Sequence, residues 1–134
     1  MEHVPAEDIA WNPAPEEHFT GRVWFGPLSA VEDGIHALAV QFDPGARTDW
    51  HTHPNGQVLY VVHGAGLVQR DDGTTVEISP GDVVYSPPGE RHWHGASPSS
   101  PMMHLSLTNE PAQWEPEKVT DEQYRRRSPK ELER

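Results

Sequence analysis

The chain contains no cysteine. That excludes disulfides, thiolate zinc sites and cysteine nucleophiles, and it fits a reducing compartment. Positive charge is nearly as scarce over residues 1–108, where four arginines (Arg22, Arg47, Arg70, Arg91) stand against fourteen acidic residues. With a formal net charge of −11, the surface repels phosphate backbones and anionic headgroups. Neither nucleic acid nor a membrane is an expected partner. The Arg125–Arg127 run is short and flanked by acids, and reads as a solvated helix face. Hydrophobic residues make up only 34%, and no apolar run approaches the ~18 residues of a membrane span. The opening segment Met1–Pro5 lacks the basic and apolar regions of a signal peptide. A soluble cytoplasmic protein is the resulting expectation.

What the chain does have is turns and histidine. Its 134 residues suit one domain with a real core. Fourteen prolines and eleven glycines require either many turns or many short strands. Short apolar stretches run over 34–42, 58–62, 66–70, 74–78, 83–86 and 102–107. Between them lie Asp43-Pro44-Gly45, Asp71-Asp72-Gly73, Ser79-Pro80-Gly81-Asp82 and Pro87-Pro88-Gly89, which supply fixed or positive φ angles. This pattern predicts an all-β antiparallel sandwich or barrel. Residues 1–18, rich in Pro and Glu, read as an arm over the domain. Thr120-Asp121-Glu122-Gln123 has the form of a capping box, which predicts a short C-terminal helix to about Arg127, stopped by Pro129.

Five of the nine histidines cluster: His51, His53 and His63, then His92 and His94. Residues i and i+2 of a strand share a face, so the imidazoles of His51 and His53 can converge on one ion. Gln57 follows a Pro-Asn-Gly turn that returns the chain beside that strand. His92 and His94 form a second such pair, and a sandwich can bring the two pairs together. One His-x-His alone is weak evidence, since surface histidines produce it too. Here both pairs stand in ordered frames: Gly45-x5-His51-x-His53-x3-Gln57-x6-Gly64, and Gly81-x5-Pro87-x-Gly89-x2-His92.

These frames resemble the two conserved motifs of the cupin family. The resemblance implies a cupin jelly-roll β-barrel with one divalent metal held by His51, His53, Gln57 and His92. The implied division is an arm over 1–18, a barrel over 19–112, and a helix and tail over 113–134. Family members usually carry glutamate where this chain has Gln57, and Ala96 replaces the asparagine that often closes the second motif. Three imidazoles and an amide leave the ion its full double charge. That strengthens it as a Lewis acid and favours non-redox chemistry over oxygen activation. Nitrogen and oxygen donors suit manganese, iron, nickel, cobalt and zinc alike.

Strand alternation adds further candidates. His94 shares the face of His92, and a neutral imidazole there can act as a base. His104 shares a face with Met102, Ser106 and Thr108, and enters the pocket if Met103, Leu105 and Leu107 face outward. His63 is out of phase with Gln57, Leu59 and Val61 and reads as structural or exposed. Leu38, Val40, Phe42, Leu59, Thr48 and Thr108 are the candidate substrate contacts. They describe a pocket for a small, partly apolar substrate rather than a sugar phosphate. Trp50, Trp93 and Tyr60 point to an outer aromatic face covered by the arm or by a second subunit, and hence to a homo-oligomer, a dimer or higher.

The stretch Pro44-Gly45-Ala46-Arg47-Thr48-Asp49-Trp50-His51-Thr52-His53-Pro54 is similar to the small bacterial manganese cupins that act as hydroxynitrile lyases. So are Pro88-Gly89-Glu90-Arg91-His92-Trp93-His94-Gly95 and the tail Val119–Arg126. This resemblance implies manganese as the metal and His94 and His104 as catalytic histidines. The implied reaction is reversible cleavage of cyanohydrins to aldehyde and cyanide, with the metal as Lewis acid and histidine as base. Competing expectations are a metal-dependent dioxygenase, an isomerase on a small organic substrate, and a non-catalytic small-molecule-binding barrel.

Overall fold

The computed structural model describes residues 1–29 and 34–127. Pro129, the expected helix stop, lies outside them. The strands in chain order are β1 (Asn12–Pro13), β2 (Phe19–Thr20), β3 (Val23–Pro27), β4 (His36–Phe42), β5 (Arg47–Thr48), β6 (His51–Thr52) and β7 (Gln57–Gly64). Then follow β8 (Gly66–Arg70), β9 (Thr75–Ile78), β10 (Val83–Ser86), β11 (His92–Ala96), β12 (Met102–Thr108) and β13 (Gln113–Trp114). One sheet runs β1-β3-β4-β12-β7-β10; the other runs β13-β6-β11-β5-β2, with β8 joining β11 to β9. Every pairing among the described residues is antiparallel. The expected all-β jelly-roll barrel is what the chain forms.

Alternation decides which side chains face inward. On β7, Gln57, Leu59 and Val61 are buried, while Tyr60 and Val62 are exposed. On β12, Met102, His104 and Ser106 are buried, and the residues between them are half-buried. A register shift between Met103 and His104 keeps His104 opposite Val61. The core between the sheets includes Phe19, Val40, Phe42, Leu59, Val61, Ile78 and Met102. Gly64, which ends the first motif, has φ +84°, and a Cβ there would run into the Pro101 carbonyl. Only glycine meets both conditions.

The arm is tied down more firmly than its composition suggests. β1 pairs with β3, the Trp11 ring lies against Gly26, and Ala14 is buried. At the other end β13 pairs with β6, so the segment after Ala112 adds a strand beside the first motif. The C-terminal helix α1 (Asp121–Arg125) begins in the expected capping box, with Gln123 N–H donating to Thr120 Oγ1 at 3.1 Å and Thr120 N–H to Gln123 Oε1 at 3.0 Å.

This tail corrects one expectation. Trp50 and Trp93 pack with Leu67, Val119 and Tyr124 in a second buried cluster. Arg47 holds the tail in place: it donates to Val119 O at 2.9 Å, pairs with Asp121 at 2.8 Å, and lies 4.5 Å over the Tyr124 ring. The chain's own C-terminal segment covers these tryptophans, so their burial requires neither the arm nor a second subunit. Tyr60 belongs to the other sheet and stays 43% exposed. No helix among the described residues is long and apolar enough to cross a membrane.

Candidate metal centre

The first motif places its histidines at a strand end. His51 lies on β6 and His53 just beyond it, before the turn that ends at Gly56 and starts β7 with Gln57. His51 faces His92 directly across the β6–β11 pairing. His51, His53 and His92 each offer a ring nitrogen, and these atoms lie within 4.8 Å of one another. Ring nitrogens this close together could share one cation after small side-chain movements. Gln57 Oε1 lies 3.3 Å from His92 Nε2. The structure thus brings the four expected ligand residues together.

Backbone carbonyls orient two of the rings. His51 Nδ1 lies 2.8 Å from Asp49 O and His92 Nδ1 lies 3.1 Å from Glu90 O. A carbonyl only accepts, so each Nδ1 carries the proton and each Nε2 keeps a lone pair for the centre. His53 has no protein partner at either ring nitrogen although it is buried. Buried polar atoms left without partners are uncommon, and a bound cation would satisfy one of the two. Burial, reinforced by His92, lowers the His53 pKa to about 4. Burial also pushes His51 well below its ordinary value, again with His92 adding to it, and lowers His92. All three rings are therefore neutral near pH 7, the state that ligates. The donor set fits a divalent cation.

Next to the triad lies a second histidine pair. His94 and His104 are both buried, and His104 Nε2 lies 3.1 Å from His94 Nδ1. Burial lowers His104 to about 4 and pushes His94 well below its ordinary value, with the neighbouring histidines adding to the latter. His94 Nε2 has no protein partner. Thr48 Oγ1 accepts from the His94 backbone N–H at 3.2 Å and donates to Asp49 O at 2.9 Å, so it braces the two histidine-bearing strands together.

A cavity of about 360 Å³ opens above these groups. Leu38, Val40, Thr48 and Thr108 stand on its wall, as do His51, His53, Gln57, His94 and His104. Phe42 and Leu59 do not. Both are wholly buried beneath it in the core, and Phe42 backs the His104 ring at 5.4 Å and the His94 ring at 6.0 Å. His63 is exposed, away from the centre.

Sequence reasoning missed much of the mouth. Phe19, Phe25 and Trp114 also line the cavity. Trp114 stacks on His18, with centroids 4.5 Å apart, and lies 4.6 Å from the His51 ring. Its sequence neighbourhood carries no strand pattern, and only the pairing of β13 with β6 brings it to the site. Lys118 ties the two termini together, donating to Glu16, Glu17 and Phe19 carbonyls and to Asp49 Oδ2 at 2.8 to 3.3 Å.

Fold and site together define a small antiparallel barrel with a buried histidine cluster, able to hold one metal ion, at the base of an apolar pocket. The chain belongs to the cupin family: the family's Cupin domain model matches residues 38–108. An (R)-mandelonitrile lyase of Granulicella tundricola is 50% identical over 118 residues, covering 84% of this chain and 89% of the relative. A cupin-like protein of Thermotoga maritima is 38% identical with a TM-score of 0.79, over 84% of this chain and 90% of that one. The polyketide cyclase RemF of Streptomyces resistomycificus shares the fold, at 20% identity and a TM-score of 0.74, over 92% of this chain and 90% of that one.

Proposed function

We propose that this chain is a metal-dependent lyase that reversibly cleaves cyanohydrins to aldehyde and cyanide. The observation that carries this reading is the buried His94–His104 pair beside the three-histidine cluster, at the base of an apolar pocket. The 50% identity to an (R)-mandelonitrile lyase supports it.

A divalent ion held by His51, His53, Gln57 and His92, manganese in this reading, supplies Lewis-acid stabilisation of negative charge on the substrate oxygen. The chain's own residues then handle the proton. In the competent tautomer His94 Nδ1–H donates to His104 Nε2, which leaves His94 Nε2 bare. That nitrogen takes the hydroxyl proton of the cyanohydrin. The carbon–cyanide bond breaks, its electron pair leaves with cyanide, and the C–O bond becomes the aldehyde carbonyl. Burial disfavours the His94 imidazolium, so the proton passes readily to the departing cyanide. His104 Nε2 accepts from the charged ring meanwhile and holds its orientation. Leu38, Val40 and Thr108, with Phe25 and Trp114, shape a site for a small, partly apolar group. The test is release of benzaldehyde from racemic mandelonitrile before and after chelation. Release that chelation does not touch, or none at all, ends this reading.

We also propose that the protein associates with itself through the outer face of β7, β10 and β12. Tyr60, Val62, Val83 and Tyr85 are 41–63% exposed there, beside half-buried Val58, Leu105 and Leu107. None of these three strands contains Asp, Glu, Lys or Arg. In a chain of net charge −11, a charge-free apolar face is where two copies meet with least repulsion. Light scattering on the eluting protein is expected to give at least a dimer, and Tyr60→Asp with Val83→Asp a monomer. A monomeric wild type overturns this association.

A further inference from the structure

Gln57 is the member of the ligand set whose side chain ends in two different groups of nearly the same shape. Its amide can present either Oε1 or the NH₂ group. Only the oxygen has a lone pair to offer a cation, and the terminal amide torsion has no strong preference of its own. Something else must choose the end.

Ser106 occupies the position from which that choice is made. Gln57 Nε2 donates to Ser106 Oγ at 2.8 Å, between two buried side chains. This leaves Oε1 beside His92 Nε2 at 3.3 Å, among the ligand atoms. Ser106 faces inward on β12, opposite Leu59 of the neighbouring β7. The Ser106 hydroxyl can donate or accept; in this arrangement it accepts from the NH₂ group, and a methyl in its place would leave that group buried without a partner.

We propose that Ser106 is a positioning residue that turns the Gln57 amide oxygen toward the metal, and that a neutral glutamine works as a ligand here because of it. This inference rests on the metal-centre reading but not on the lyase chemistry. It makes a distinction that a merely structural serine would not. A glutamate at 57 has two equivalent oxygens and needs no orienting partner.

The experiment measures the Mn²⁺ dissociation constant of chelator-stripped full-length protein, by titration against the resonance of free Mn²⁺. Ser106→Ala is expected to weaken binding about 10- to 100-fold in the Gln57 protein, the usual cost of losing a group that orients a metal ligand. In the Gln57→Glu background the same change is expected to cost less than about threefold, since neither carboxylate end has to be selected. Ser106→Thr, which keeps the hydroxyl, is expected to recover most of the affinity. Thermal unfolding of the metal-free variants checks that the barrel is intact. Equal losses in both backgrounds, or no loss with Gln57, overturn the orienting role and leave the metal centre standing. A wild type that takes up no Mn²⁺ overturns both. Absent mandelonitrile cleavage with the binding pattern intact removes only the lyase chemistry.

Discussion

Replacing His92 with alanine is expected to take bound divalent metal well below one per chain and to cut metal-dependent mandelonitrile cleavage about a thousandfold or more. His92 sits on β11, whose partners on either side are β5 and β6, and β8. Its ring packs 4.5 Å from His51 and 5.7 Å from His53, and the Glu90 carbonyl fixes its tautomer. Removing it deletes the donor that joins the first motif to the second. Lewis-acid stabilisation is worth several kcal/mol, and each ~1.4 kcal/mol is a tenfold change in rate. His94→Ala makes the informative contrast. It is expected to keep the metal, because the ligand set is untouched, yet lose about 10²- to 10⁴-fold in rate, the usual share of general acid–base catalysis. Metal content by elemental analysis and benzaldehyde release separate the two variants. If His94→Ala retained full activity, the base would have to be sought elsewhere.

The metal-free protein is expected to lose stability steeply on acidification from about pH 6.5 to 4. Burial holds folded His53 and His104 near 4 against an ordinary value of 6.5. Between those limits the unfolded chain binds more protons than the folded one, so stability rises with pH and falls with acid. Each shift of this size corresponds to about 3 kcal/mol once fully developed. His51, His92 and His94 are lowered too and act in the same direction. Asp49 is raised, chiefly by burial, and opposes them, but it is one group against five. His53 and His104 alone account for a large share of the ~5–15 kcal/mol of a typical domain, so chelated protein is expected to be strongly destabilised by pH 4. A divalent cation that binds the folded form more tightly than the unfolded chain, tested with Mn²⁺, is expected to move the transition to lower pH as its concentration rises. Urea unfolding at several pH values, with and without metal, measures both effects. A stability of the chelated protein that is flat over this range would show that these rings are not held neutral by the fold.

The candidate ligands were legible because they stand in two short frames that resemble the cupin motifs. His51 and His53 are two residues apart, Gln57 follows one turn later, and each frame is closed by residues whose backbone needs are local, as Gly64 shows with its φ of +84°. Alternation likewise put His104 and Ser106 on one face and Met103 on the other, because parity along a strand needs no knowledge of the partner strand; which face is buried was decided by the fold. The capping box of α1 is equally local.

Contacts across the fold were another matter. Alternation put Trp50, Trp93 and Tyr60 on outer surfaces, but it carries no information about which of two sheets a strand joins or what lies over it. The structure puts the tryptophans under the chain's own tail and leaves Tyr60 on the opposite sheet. Phe42 and Leu59 share the inward parity of Leu38 and Val40, yet depth in the barrel makes the first two core and the last two pocket wall.

By itself, then, the sequence indicated the barrel class, put His94 on the face of His92, and offered four candidate ligands through frames that resemble the cupin motifs, while leaving the side taken by His104 open. Turn residues and strand parity are read within a few positions, whereas the ligand set came from the resemblance of two separate frames to one family. Only the tertiary structure decided that His94 and His104 share a hydrogen bond, that Trp114 closes the mouth over His51, and that Ser106 meets the amide of Gln57 from 49 residues away. Those contacts depend on strand order and register, which are set by the packing of the whole core rather than by any one segment.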